Sequence, residues 1–176
     1  MHFKAADDAA HDRNVPYRVA YLQAADALLR QLAARLWAHE AAGGARYALC
    51  VTGDHSTPVL YGDHSNEPVP VAVAHLADLV AAMGGPAAVA ATPLGPIRTP
   101  EFAPPVATPG AGDAAAFARE APAPAAAVAG DAVRRFDEVA AAGGGLGRFC
   151  GAALMPLLRA FSDTRAETDG AQRTQQ

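Results

Sequence analysis

The stretch GGARYALCVTGDHSTPV, residues 43–59, sets the reading of the whole chain. Gly43-Gly44 stops whatever helix precedes it, because paired glycines supply the left-handed backbone at a helix C-terminus. "ARYALCVT" then reads as a buried strand, and Gly53 opens a loop. Working upstream, Asn14 can cap a helix and Pro16 suits its first turn. From Pro16 to about Ala42, Val19, Leu22, Leu29, Leu32 and Leu36 recur at helical spacing. Before that, "MHFKAA" reads as a short strand ending at Asp7-Asp8, and "DDAAHDRN" as a polar loop. Strand, loop, helix, strand and loop make a βαβ unit. The predicted fold is therefore α/β, with a mostly parallel sheet and a right-handed crossover.

That prediction places chemistry. Parallel sheets bind ligands beyond the carboxyl ends of their strands. Asp7 and His11 follow the first predicted strand, and Asp54 and His55 follow the second. All four emerge on one sheet edge. Asp-His-Ser then recurs nine residues on, at Asp63-His64-Ser65, so His64 can return to the same cleft. Carboxylate and imidazole together suit a borderline divalent cation such as Mn²⁺ or Zn²⁺. Each of these side chains alone would more often be a surface or capping residue. Five of them at strand ends in a chain with six histidines point to a metal site.

The rest of the chain bounds the alternatives. It has 176 residues, enough for one cored domain, and a formal net charge of -4, which gives no sign of a nucleic-acid or anionic-membrane partner. No apolar run approaches the length of a membrane span, and no secretory signal is visible. A cytoplasmic chain is expected, or an organellar one if residues upstream are missing. Cys50 and Cys150 are the only cysteines and do not form a disulfide framework. "VAVAHLADLVAAMGG" after Pro70 reads as a strand running into a short helix. Residues 1–85 are thus expected to form the metal-binding βαβ part. Residues 86–130 hold nine of the 14 prolines and read as a disordered Ala/Pro-rich insertion. Order is expected to return over residues 131–161, where Leu154, Leu157, Leu158 and Phe161 supply a helix face. A polar tail, 162–176, is expected to fray.

"TGDHSTPV" followed by "GDHSNEPVP" resembles the metal-binding signature of the cofactor-independent phosphoglycerate mutases, in their archaeal-type branch, within the alkaline phosphatase superfamily. "HFKAADDAAHDRN" resembles that family's His-x-Lys-x-x-Asp-x-x-Gly-His-Asp segment, and "RRFDEVAAAGGGLGRFCGAALMPLL" its C-terminal Phe-x-Glu and Gly-x-Leu-Gly-Arg stretch. The likeness covers residues 1–74 and 131–161. It implies the C-terminal part of an alkaline-phosphatase-like α/β/α sandwich. It also implies two divalent metal ions, Mn²⁺ foremost, with Zn²⁺, Co²⁺ and Mg²⁺ as alternatives. By position, Asp7, His11 and His64 would ligate one ion, and Asp54 and His55 the other. Lys4 would help with phosphoryl charge, and Arg148 would contact substrate. The implied reaction interconverts 2- and 3-phosphoglycerate in glycolysis through a phosphoserine. The family's serine nucleophile lies in an N-terminal half with no counterpart here, so the chain by itself is expected to be inactive and to need that half as a partner. A residual metal-dependent phosphatase and a non-catalytic metal-binding or interaction protein are the alternatives. One departure stands beside the site: the family's glycine before the histidine is Ala10 here, which predicts a shifted or strained loop.

Overall fold

In the computed structural model, residues 1–99 and 130–173 are described. The first element corrects the sequence reading. Residues Ala5–His11 form a helix, α1, not a loop after a strand. Alanine is the strongest helix former, and Asp7 and Asp8 in the first turn complement the positive end of the helix dipole. The apolar His-Phe-Lys alternation before it is too short to outweigh that. Ala10 is fully buried in this helix, so its methyl group is packing material and the predicted loop strain does not arise.

Helix α2 spans Val15–Ala41. The Asn14 side chain accepts a hydrogen bond from the Tyr17 amide at 3.1 Å, as its capping position predicts. The far end closes at Gly43, whose φ of 86° is the left-handed conformation a helix stop requires. The residues α2 buries are its alanines, Ala24 and Ala33, while Leu22 is half exposed. Small side chains let neighbouring helices approach closely.

Strand β1 (Ala48–Thr52) and strand β2 (Val71–His75) make a two-stranded sheet. They run antiparallel, with Ala48 opposite His75 and Thr52 opposite Val71. The parallel βαβ arrangement is therefore not present among the described residues. The partner of "ARYALCVT" is the strand after Pro70, and an antiparallel pair needs no helical crossover. The link between them, residues 53–70, is the loop carrying both Asp-His-Ser triplets.

Helix α3 (Leu76–Ala82) follows β2 directly, and helix α4 (Pro86–Ala90) comes next. Ala33, Leu76, Val80 and Val89 form the buried core, flanked by Leu36, Trp37, Tyr47, Leu49 and Met83. Pro86, the expected start of a disordered insertion, instead opens a packed helix, because Val89 has a core to enter. Most of that insertion, residues 100–129, lies outside the described residues. Further on come α5 (Glu138–Ala141), a short 3₁₀ turn at Gly151–Ala153, and α6 (Leu154–Arg173). Helix α6 runs on through the stretch expected to fray, whose Ala, Glu, Arg and Gln residues favour helix. Phe161 stacks on His75 at 4.4 Å between ring centroids. Both cysteines are free, and no described helix is long and apolar enough to cross a membrane.

Candidate metal centre

The site lies between α1 and the loop of residues 53–70. On α1, Asp7 and His11 are four residues apart, which puts both on one helix face. The loop is shaped by its own backbone. The Pro58 carbonyl accepts from the amides of Tyr61 and Gly62 at 3.0 and 2.8 Å, closing a tight turn. The Ser65 amide then reaches the Ser56 carbonyl at 3.0 Å, an isolated antiparallel bridge between the two triplets. In each triplet the aspartate accepts from the next residue's amide, Asp54 from His55 at 3.2 Å and Asp63 from His64 at 2.7 Å. The repeat is thus a structural device: two matching bends, paired through their serines, carry His55 and His64 back to the same place. Their rings lie 3.7 Å apart.

Gly62 completes the fit to α1. Its φ is 74°, and a β-carbon there would lie 2.7 Å from Arg13 Nε and 3.4 Å from the His11 carbonyl oxygen. The Gly62 carbonyl lies 3.1 Å from His11 Nδ1, and Arg13 donates to the Tyr61 carbonyl at 3.2 Å. Arg18, on α2, donates to the Thr57 carbonyl.

Asp7, His11 and His64 bring one donor atom each within 4.8 Å of one another. His11 Nε2 is 3.5 Å from Asp7 Oδ2, and His64 Nε2 is 4.0 Å from Asp7 Oδ1. A carbonyl can only accept, so His11 Nδ1 carries the proton shared with Gly62. In the neutral ring this leaves the lone pair on His11 Nε2, and this atom faces His64 Nε2 at 3.1 Å. Two ring nitrogens this close need a proton or a cation between them. One carboxylate and two imidazoles are a donor set that fits a divalent transition metal, with the second nitrogen of His11 anchored by backbone.

Asp7 has only 15 % of its side chain exposed. Burial pushes its carboxyl upward, but hydrogen bonds from Lys4 and Thr57 outweigh this and hold it down to about 2. The carboxylate is therefore ionised and ready to ligate at any ordinary pH. Lys4 Nζ sits 2.5 Å from Asp7 Oδ2 and 3.2 Å from Asp8 Oδ1, and these contacts raise its own pKa. The predicted second pair adjoins this group: Asp54 Oδ2 is 3.5 Å from His55 Nε2 and 3.9 Å from His2 Nε2. Arg148 is exposed between Gly147 and Phe149 and joins none of these contacts among the described residues. Sequence reasoning missed Thr57. It is 3 % exposed, and its hydroxyl donates to Asp7 Oδ1 at 2.7 Å and meets His55 Nδ1 at 3.1 Å. Its only sequence signal is its place directly after the first triplet.

A helix and a doubled loop thus converge carboxylate and imidazole into a candidate metal site on an α/β chain. The sequence model of the Metalloenzyme superfamily matches residues 1–99, and the chain belongs to that superfamily, whose members bind divalent metals. Within it, the chain is similar to the archaeal 2,3-bisphosphoglycerate-independent phosphoglycerate mutases. The protein of that name from Methanopyrus kandleri is 30% identical over 171 residues, covering 97% of this chain and 27% of the relative. Those from Sulfurisphaera tokodaii and Pyrococcus furiosus are 33% and 31% identical over 70 and 74 residues, covering 15% and 16% of each relative. The chain thus spans about a quarter or less of the length of these relatives. No solved structure matches the chain.

Proposed function

We propose that this chain is the metal-holding portion of a cytoplasmic 2,3-bisphosphoglycerate-independent phosphoglycerate mutase, which interconverts 2- and 3-phosphoglycerate. The observation that carries the reading is the face-to-face approach of His11 Nε2 and His64 Nε2 beside the ionised Asp7 carboxylate. Asp7, His11 and His64 would hold one divalent cation, Mn²⁺ foremost, and Asp54 and His55 would contribute to a second. Cations so held would supply positive charge to a phosphoryl group in transfer. The protein's own residues do the rest. Lys4, already at the rim beside Asp7, adds a mobile positive charge for phosphoryl oxygens. His11 and His64 are fixed by the Gly62 carbonyl and by the paired loop, so the donor geometry exists before substrate arrives.

Neither serine of the doubled motif serves as the phosphoryl acceptor in this reading. Ser56 Oγ is committed to the Glu67 carbonyl at 3.2 Å, and Ser65 Oγ is buried away from solvent. The acceptor serine and a further part of the sheet would come from an N-terminal portion, against which β1 and β2 would extend a larger, mostly parallel sandwich.

The test is reconstitution. A Pyrococcus furiosus mutase lacking the region similar to residues 1–74 is mixed with this chain, and 3-phosphoglycerate formation is followed with added Mn²⁺. Metal-dependent recovery of activity that His64→Ala abolishes is the expected result. Recovery that is indifferent to metal and to His64→Ala, or tight metal binding without any recovery, contradicts the mutase reading.

A further inference from the structure

We propose that Thr57 is the positioning residue that ties the two ligand groups together and fixes which atoms they offer. The proposal rests on the metal-centre reading above. Thr57 is the one polar residue buried as a whole among the described residues, and it is held from both ends. Its carbonyl is gripped by Arg18 from α2, and its hydroxyl lies between Asp7 on α1 and His55 on the loop. A hydroxyl has one proton. Because that proton goes to Asp7 Oδ1, the oxygen must accept from His55, so His55 Nδ1 carries a proton and the chain runs His55 N–H to Thr57 O–H to Asp7 carboxylate.

Two consequences follow for ligation. His55 is held in the tautomer whose free lone pair is on Nε2, the atom 3.5 Å from Asp54 Oδ2. Asp7 has Oδ1 engaged by Thr57, which turns Oδ2, the oxygen that Lys4 also meets, toward His11 Nε2 at 3.5 Å. A single hydroxyl thereby orients one ligand in each group. A buried hydroxyl that only satisfied its neighbours would affect stability alone; one that sets ligand geometry also changes how metal binds.

Cobalt(II) titration of the full chain, read by visible absorption, separates these roles. Thr57→Val keeps the volume and removes the hydroxyl, and Thr57→Ser keeps the hydroxyl. Thr57→Val is expected to weaken cobalt binding about 10- to 100-fold and to change the absorption envelope, with Thr57→Ser close to wild type. Wild-type affinity and spectrum in Thr57→Val would overturn the proposal. Because that variant could fail to fold, the wild-type chain provides a second readout: nitrogen-15 chemical shifts of the His55 ring are expected to show the proton on Nδ1. A ring protonated on Nε2 alone would overturn it equally. Failure of the wild-type chain to bind cobalt would remove the metal centre itself, a result distinguishable from loss of the Thr57 role.

Discussion

His11 and His64 present the same ring nitrogen to each other at 3.1 Å, and everything else at the site explains how that contact is held. Removing either imidazole leaves two donors. His11→Ala or His64→Ala should therefore lower divalent-metal affinity at least about tenfold, measured by calorimetric titration. Gly62 is a tight point where the loop meets α1. Gly62→Ala puts a methyl group against Arg13 and demands a left-handed backbone from a residue that resists it. A loss of about 1–2 kcal/mol is expected in denaturant unfolding, together with weaker metal binding as the His11 anchor moves. Asp7 contributes to the acid behaviour of the metal-free chain. Its folded pKa of about 2 lies below its ordinary value of 3.8, so the folded state binds fewer protons in that interval. The stabilisation is complete above the ordinary value and disappears as pH falls from 3.8 to about 2. Asp7→Asn should make the melting temperature fall less steeply across that window, read by circular dichroism.

At the scale of elements, α1 both builds the site and ties it to α2. Ala10→Gly, which restores the family's residue, removes a fully buried methyl group from a helix and should cost about 1 kcal/mol in denaturant unfolding. How much of this was legible from sequence differs by element. Helix α2 was readable because Asn14 and Pro16 start it and Gly43 ends it, all local signals. The strands around Cys50 and Val73 were readable from their apolar runs, and α3 from its pattern. The direction of pairing was not, because it depends on which distant segment lies beside β1. Helix α1 was misread because seven residues give too little period to distinguish Ala-rich helix from strand and loop. The grouping of Asp7, His11 and His64 was legible because Asp-x-x-x-His and the repeated Asp-His-Ser are spacings with a chemical reason. Thr57 was not, because its role exists only once α1, α2 and the loop meet around it.

Taken whole, the described chain has a small core, with Leu76, Val80 and Val89 the largest fully buried side chains, and a sheet of only two strands. Two strands have marginal stability alone, and both outer edges carry unpaired backbone groups. A divalent cation that joins α1 to the loop should therefore matter to the entire fold. At metal concentrations near 100 times the dissociation constant, stabilisation of about 2.7 kcal/mol is expected, visible as a rise in melting temperature that chelation reverses. Convergence of Asp7, His11 and His64 on one ion is tested by anomalous diffraction from crystals of the full chain grown with Mn²⁺ or Zn²⁺. A peak about 2.0–2.2 Å from His11 Nε2, His64 Nε2 and an Asp7 oxygen is the predicted result. A metal-saturated crystal with no peak among these three residues would contradict it.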